Sequence, residues 1–407
     1  MISLKLKNKL RINYKKSDSN ITSFCFGLEA GAFSEDENEI GIAHAVEHYL
    51  YKGTKNYSEE QINEKMSEIF GFTNAMTNYP YVIYYGSCLK EDTEEGIKVF
   101  SDILMNPLFS EEGFSQEIKV ICEELKEWKD DAYQYCEDEL YFNSYRNHRL
   151  KYPIIGNEAF INNITIEKMK KFYDKNYVPG NCVLTIITNL NLEETRTIIE
   201  KHLSSWKANS DYCPLIKTQD QVSKASVYKQ KKVGLTGAKI QYLFHIEGLT
   251  LKEERILRIF NERFGQAVDS ILYEEIRTKR GLAYDISSLV KFEKGIKNLI
   301  IKAGTGKENI TKVIEIINKC ICDVKEGKYF FSQEQIEKTK KSLELKNAIN
   351  NEMSIRLTIR INISEIMFNS TRGITKIFND ENITGEDIIE VTQKVLENPS
   401  IQIIEPM

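Results

Sequence analysis

The sequence predicts an α+β fold in which one structural unit occurs twice. The chain has 407 residues, whereas a single hydrophobic core stops growing at about 250–300 residues. Strands and helices in the first half follow the order β-β-α-α-β-β-α-α-α-β-α, and the second half repeats this outline. We therefore predict an N-terminal domain over 1–208, a linker over 209–226 and a homologous C-terminal domain over 227–407.

Hydrophobic periodicity and capping residues place the individual elements of the first half. Strands are predicted at about 2–6, 21–30, 73–78, 81–89 and 182–188. Helices are predicted over 40–51, 58–70, 93–105, 110–146, 165–176 and 191–202. The residues predicted to cap the last five of these helices are Ser58, Asp92, Ser110, Thr165 and Asn191. Ser58 to Gln61 forms an S-x-x-Q capping box.

The second half is read in the same way. Strands are predicted at about 227–233, 238–247, 283–292, 297–304 and 400–405. Helices are predicted at about 251–277, 307–326, 332–350, 355–368 and 384–396. The polar stretch 204–226 lacks periodicity and suits a linker. The GTGK sequence at 304–307 lacks the spacing of a phosphate loop, so it predicts no nucleotide site.

Composition narrows the class of protein. The formal net charge is −5, and 28% of the residues are charged, which predicts neither a nucleic-acid partner nor a membrane-surface partner. The basic N-terminus lacks the apolar run of a signal peptide, and no stretch is long enough to span a membrane. The eight cysteines include no C-x-x-C pair, which favours a reducing compartment. We expect a cytoplasmic protein.

A short histidine motif is the most informative local pattern. His44, Glu47 and His48 form an H-x-x-E-H sequence inside the predicted helix 40–51. Residues four apart share a helix face, so the two imidazoles form half of a zinc site. Glu47 lies beside that face and can reach a water molecule without binding the metal. This order is the inverzincin signature, although the pentapeptide alone is also compatible with a polar surface helix.

A catalytic zinc ion takes three protein ligands and leaves a fourth position open. The predicted helix 110–146 offers Glu117 and Glu124, which are seven residues apart and lie nearly on one face. Glu123 points roughly 100° away from Glu124, so we expect it to be solvated. Without the histidine motif, all three glutamates would be read as a charged outer face.

Two further segments have both a structural and a functional interpretation. The predicted hairpin of 73–78 and 81–89 contains Asn74 and Ala75. It is either a packed pair of strands or an edge that pairs with an extended peptide. In the second half, Arg277 and Tyr284 flank Gly281. Their structural interpretation is an arginine at a helix end and a tyrosine starting a strand.

Taken together, these motifs resemble the inverted zinc metallopeptidases, the family of mitochondrial processing peptidase, pitrilysin and insulin-degrading enzyme. HAVEHYLYKGT resembles the zinc motif of that family with its following K-G-T. GFTNAMTNYPYVIYY resembles its Asn-Ala edge strand, and HRLKYPIIG resembles a connecting segment. RTKRGLAY matches its Arg-to-Tyr spacing. The resemblance covers nearly the whole chain and fits single-chain, two-domain bacterial members.

The resemblance implies a fold and a metal site. The fold would be two homologous domains, each a mixed, mostly antiparallel sheet packed by helices, which form a clam-like half of a chamber. One Zn²⁺ per chain would be bound by His44, His48 and Glu124. Glu124 is 76 residues after His48, where the family has its third ligand. Glu117 falls where the family keeps a supporting glutamate.

The resemblance also implies roles for the remaining residues. Glu47 would be the general base, and Asn74 and Ala75 would bind the substrate backbone. Arg277 and Tyr284 would contact the substrate from the second domain. The implied activity is a zinc-dependent endopeptidase acting on unfolded peptides or on leader segments.

The sequence departs from the family in two places and leaves three assignments open. Phe264-Gly265 stands where Gly-Gly is usual, and the linker contains no glycine. The chain is expected to be an active homodimeric peptidase, because it carries both the zinc motif and the Arg/Tyr pair. The alternatives are one subunit of a heterodimer with a paralogous chain, and a noncatalytic core or assembly subunit.

Overall fold

The structure is a computed structural model that describes every residue except 147, 208–221, 372–373, 375–376 and 379–381. Of the predicted linker 209–226, residues 209–221 lie outside the described residues. None of the described helices is both long enough and apolar enough to cross a membrane.

Strands and helices appear in nearly the predicted order. The strands are β1 (Ile2–Lys5), β2 (Arg11–Lys16), β3 (Ile21–Leu28), β4 (Phe70–Thr77), β5 (Val82–Leu89), β6 (Cys182–Thr188), β7 (Val227–Lys232), β8 (Ala238–His245), β9 (Ala283–Glu293), β10 (Ile296–Thr305) and β11 (Ser400–Pro406). The helices are α1 (Ile42–Tyr49), α2 (Glu59–Ile69), α3 (Thr93–Met105), α4 (Phe114–Asp130), α5 (Ala132–Ser144), α6 (Glu158–Ile161), α7 (Ile166–Asn176), α8 (Leu192–Leu203), α9 (Leu251–Asn261), α10 (Ile310–Lys325), α11 (Gln333–Glu352), α12 (Ser354–Phe368) and α13 (Gly385–Val395).

The first sheet has the strand order β1-β2-β6-β3-β5-β4. It is mixed, because β2 runs parallel to β6 while the other neighbours are antiparallel. Alternate side chains of β3 point to opposite faces. Phe24 and Phe26 pack against Phe100 of α3 on one face, and Cys25 packs in a cluster with Ile366 of α12 on the other. The strand β4 forms one edge.

Helix α12 is anchored to the first sheet by a buried amide. The Asn362 Nδ2 donates to the carbonyl oxygens of Cys25 and Val183, both at 2.8 Å. A Cβ at Gly27 would collide with the Asn362 side chain. The glycine therefore permits the close approach of helix and sheet.

The second sheet has the order β7-β11-β8-β10-β9. Here β7 runs parallel to β11, and the remaining pairs are antiparallel. Helix α5 packs on β8 and β11. Its buried Glu137 contacts the Nζ atoms of Lys291 and Lys302, each at 2.5 Å. An ion cluster therefore anchors this helix, where an amide anchors α12.

These contacts divide the chain into two compact units that are not contiguous in sequence. The first comprises the described parts of Met1–Lys126, Tyr152–Thr218 and Ile349–Ile374. The second comprises the described parts of Glu127–Lys151, Gln219–Ala348 and Thr375–Met407. The units thus differ from the predicted contiguous domains 1–208 and 227–407, because α5 and α12 each pack on strands from the other half of the chain.

Four sequence predictions differ from the structure. The strand β2 was not predicted, since lysines in KNKLRINYKK obscure the apolar residues Ile12 and Tyr14, both of which are buried. The predicted helix 110–146 is two helices, because Asp131 caps α5 by accepting from the backbone N–H groups of Tyr133 and Gln134. The same prediction is wrong at its start, because Ser110 does not cap α4, which begins at Phe114; the Ser110 hydroxyl accepts from the Glu112 N–H instead.

The other two differences concern helix ends. The predicted helix 251–277 ends at Asn261, and π-helical segments follow at Glu262–Gln266 and Tyr273–Thr278. Asp92 makes no side-chain capping bond, because residues 90–92 form a 3₁₀ turn ahead of α3. The caps predicted at Ser58, Thr165 and Asn191 are confirmed.

Candidate metal centre

The motif helix α1 is fixed at its N-terminus by a carboxylate from the preceding loop. Glu35 accepts hydrogen bonds from the N–H groups of Gly41 at 3.1 Å and Ala43 at 3.0 Å. These satisfy donors that a helix leaves unpaired in its first turn. Gly41 has φ +91°, and a Cβ there would lie 2.5 Å from the Ile155 carbonyl oxygen. Only glycine therefore fits this entry to the helix.

The two histidines of α1 face a carboxylate on α4. The His44 Nε2 lies 3.5 Å from Glu124 Oε1, and the His48 Nε2 lies 3.3 Å from Glu124 Oε2. Ligand atoms of the three residues all lie within 4.8 Å of one another. Two ligands at about 2.0–2.1 Å from a tetrahedral zinc ion are roughly 3.3 Å apart. The observed spacing thus suits a common metal ion.

A second glutamate on α4 orients the His48 ring. The Glu117 Oε1 lies 2.8 Å from His48 Nδ1, and its Oε2 lies 2.7 Å from Lys52 Nζ. Glu117 is only 6% exposed. When a carboxylate accepts a hydrogen bond from Nδ1–H of a neutral imidazole, the lone pair of that ring lies on Nε2. That nitrogen is the one that faces Glu124.

The electrostatics of the cluster favour positive charge at its centre. Burial lowers the pKa of His48, but its hydrogen bonds with Glu117 and Glu124 outweigh burial and raise that pKa to about 9. Hydrogen bonds with His44 and then His48 hold the pKa of Glu124 well below its usual range. Two imidazoles and one carboxylate are also a common ligand set of catalytic zinc. The residues therefore fit Zn²⁺.

Glu47 lies beside this cluster but is not among its three ligating residues. Its carboxylate accepts a short hydrogen bond from the Thr77 hydroxyl. Burial raises the pKa of Glu47, against the lowering effects of His44 and of the Thr77 hydrogen bond. A carboxyl group with a raised pKa is suited to accepting and returning a proton near neutral pH.

The edge strand β4 ends beside Glu47. Asn74 is exposed and pairs with Tyr85, while Ala75 pairs with Tyr84. The Asn74 Oδ1 accepts from the Ala75 N–H at 2.9 Å. Thr77 ends this strand and contacts Glu47. A peptide that paired with this edge strand would therefore run toward Glu47.

The structure brings Arg277 and Tyr284 together within the second unit. The guanidinium carbon of Arg277 lies 5.3 Å from the Tyr284 ring centre and 4.9 Å from that of Tyr273. Tyr284 is 84% exposed, so its ring contributes little to a core. Their predicted contact with a substrate stays a prediction.

Three contacts of the candidate metal centre are not predicted by the sequence. Thr77 bonds Glu47, Lys52 bonds Glu117, and Glu35 caps α1. Lys52 belongs to the K-G-T that follows the histidine motif, which was the available signal for it. No local pattern marks Thr77 or Glu35.

Comparison with protein families assigns both halves of the chain to one peptidase family. The family described as "Insulinase (Peptidase family M16)" matches residues 14–158. The family description "Peptidase M16 inactive domain" matches residues 163–343. The two matches together span most of the chain.

Individual relatives extend these matches. An uncharacterized zinc protease, YmxG of Bacillus subtilis, is 24% identical over 96% of this chain and 95% of its own length. An uncharacterized zinc protease of Rickettsia felis is 28% identical over 77% of this chain and 78% of its own. A probable mitochondrial-processing peptidase subunit beta of Schizosaccharomyces pombe is 26% identical over 46% of this chain and 41% of its own.

Solved structures confirm the predicted fold class of two homologous domains with helix-packed mixed sheets. The crystal structure of a protease from Helicobacter pylori has a TM-score of 0.89 at 20% identity, covering 100% of this chain and 99% of that one. A putative M16-like peptidase from Alicyclobacillus acidocaldarius has a TM-score of 0.87 at 16% identity, covering 100% and 98%. This chain therefore belongs to the insulinase family, peptidase family M16.

Proposed function

We propose that this protein is a zinc-dependent endopeptidase that cleaves unfolded peptides or leader segments. The observation that carries the proposal is the convergence of His44, His48 and Glu124, with the half-buried Glu47 beside them. The relatives named zinc proteases support the same activity. The noncatalytic alternative is disfavoured because this set of residues is complete.

In this mechanism His44, His48 and Glu124 would hold one Zn²⁺. The bound ion would act as a Lewis acid on the scissile carbonyl and lower the pKa of water. Glu47 removes the proton from the attacking water and returns it to the leaving amine. The Thr77 hydroxyl holds the Glu47 carboxylate in place, and Glu117 keeps the His48 ring oriented.

The substrate adds as an extended strand along β4, beside Asn74 and Ala75. Backbone hydrogen bonds then supply much of the binding, which makes recognition tolerant of sequence. Arg277 and Tyr284 contact the substrate or its developing oxyanion. Each offers a hydrogen-bond donor, the kind of group that stabilises a developing negative charge.

We further propose that the protein is cytoplasmic and acts as a homodimer. The second candidate is a subunit of a heterodimer, which the similarity to a relative named subunit beta favours. Native mass spectrometry of the purified chain, alone and with a co-expressed paralogue, separates the two assemblies. A stable complex only with the paralogue would overturn the homodimer.

The peptidase activity is tested with Glu47→Gln. Removal of a general base costs about 10²- to 10⁴-fold in rate, while zinc content should stay near one per chain because Glu47 is not a ligand. Cleavage of a peptide library is read by mass spectrometry, with and without a chelator. Glu123→Gln is the control, because Glu123 bonds Lys126 on the exposed face of α4. Undiminished cleavage by Glu47→Gln would remove the general-base role.

A further inference from the structure

Lys52 connects the metal centre to the solvent-facing side of the first unit. Its Nζ lies 2.7 Å from Glu117 Oε2 and 2.8 Å from Glu59 Oε1. The side chain of Lys52 is 27% exposed and that of Glu117 is 8% exposed. The ammonium group therefore bridges an outer carboxylate and an inner one.

The inner carboxylate is shared between two partners. One oxygen of Glu117 bonds His48 Nδ1 and the other bonds Lys52. If Lys52 were absent, a buried oxygen would lose its charged partner, and the carboxylate could rotate away from the imidazole. The orientation of the His48 ring thus depends on a residue that does not contact it.

We propose that Lys52 is a positioning residue for His48, acting through Glu117 to keep the imidazole Nε2 directed at the metal site. The inference rests on the zinc site of the proposed function. A group that orients a metal ligand typically changes metal affinity by about 10- to 100-fold when it is removed. Lys52 acts one residue further out, so its effect belongs at the low end of that range.

Because Lys52 is positively charged, the direction in which its removal changes zinc affinity is informative. A cation near a zinc site repels Zn²⁺, so loss of the charge alone would tighten zinc binding. Loss of the restraint on Glu117 would weaken zinc binding instead. Zinc affinity therefore separates a positioning role from a purely electrostatic one.

The experiment measures the zinc Kd of the full chain by competition with a chromophoric chelator. We expect K52M to bind zinc about tenfold more weakly and K52R to bind it nearly as tightly as the wild type. K52Q, measured in parallel in case K52M does not fold, should fall between them. K65M is the matched control, because Lys65 is 28% exposed and bonds Glu95 at 3.0 Å in the same unit.

Equal or tighter zinc binding by K52M and K52Q would overturn the inference, and so would an equal loss in K65M. The melting temperatures of the zinc-free variants show whether folding is affected. No peptide is present in this measurement. If the wild type binds no zinc, the proposed function fails; if it binds zinc and the Lys52 variants match it, only the role of Lys52 fails.

Discussion

The two sheets of this protein share one plan but differ at the edge. The order β2-β6-β3-β5-β4 in the first corresponds to β7-β11-β8-β10-β9 in the second, with the parallel pair in the same place. In each, a helix from the other half of the chain packs on the two central strands, α12 on β3 and β6 and α5 on β8 and β11. The two units differ in the segment that follows β3 in the first sheet and β8 in the second.

In the first unit that segment is α1, which presents Glu47 to Thr77 on the edge strand. In the second unit it is α9 and a π-helical segment that packs tightly on β9. A Cβ at Gly265 would lie 2.6 Å from the Ser288 backbone nitrogen. The described residues contain a candidate metal cluster only in the first unit. A common sheet thus supports a candidate metal cluster in one copy and close backbone packing in the other.

The largest expected effect tests which residue completes the metal centre. Glu124→Gln removes a charged ligand, so zinc content should fall from near one per chain to near zero, and cleavage should be lost with it. Glu123→Gln should retain zinc, because Glu123 bonds Lys126 at 2.6 Å on the exposed face. Metal analysis of both purified proteins decides. Zinc loss in the Glu123 variant alone would shift the ligand by one residue.

The next variant tests the ion cluster that anchors α5 to the second sheet. Glu137→Gln leaves Lys291 and Lys302 without their buried partner, which should reduce the free energy of unfolding by about 3 kcal/mol. Chemical denaturation at pH 7 measures the loss. Glu123→Gln is again the control and should unfold like the wild type.

The same variant has a defined pH dependence. Burial raises the pKa of Glu137, but Lys291 and Lys302 outweigh it and lower that pKa below its ordinary value of 4.5. The stabilisation by Glu137 is therefore present above about pH 4.5 and is lost as pH falls through the lowered pKa. The difference between wild type and Glu137→Gln should shrink below that pH. A difference that is constant with pH would contradict the ionic anchor.

The last variant tests whether the second unit contributes to the proposed chemistry. Tyr284→Phe keeps the ring over which Arg277 lies but removes the hydroxyl. Loss of one oxyanion donor costs about 2.7–4 kcal/mol in the transition state, so kcat should fall roughly a hundredfold or more. Zinc content and melting temperature should not change, because Tyr284 is 84% exposed. Full activity, or a melting temperature several degrees lower, would return Tyr284 to a structural role.

Local rules predicted much of the fold and the principal residues of the site. Helix periodicity places His44 and His48 on one face and separates Glu124 from Glu123. The capping box predicted at Ser58 and the cap predicted at Asn191 are both confirmed, because the partners of each lie within four consecutive residues. These features depend only on residues that are close in the sequence, so they can be predicted from the sequence alone. The third candidate ligand, Glu124, was assigned from the family resemblance, since no local rule joins residues 48 and 124.

The contacts between distant segments could not be predicted from local patterns. Helices α5 and α12 each pack on the sheet of the other half of the chain, and the sheet face that each helix buries determines this arrangement. The Asn362 amide and the Glu137 carboxylate bond residues that are far away in the sequence. Thr77 reaches Glu47 only because the edge strand ends beside α1. Lys52 reaches Glu117 only because α4 packs next to the motif helix. Local patterns in the sequence identify the chemical groups, but the packing of distant segments selects their partners, because hydrogen bonds and ion pairs require distances of about 3 Å that local patterns do not specify.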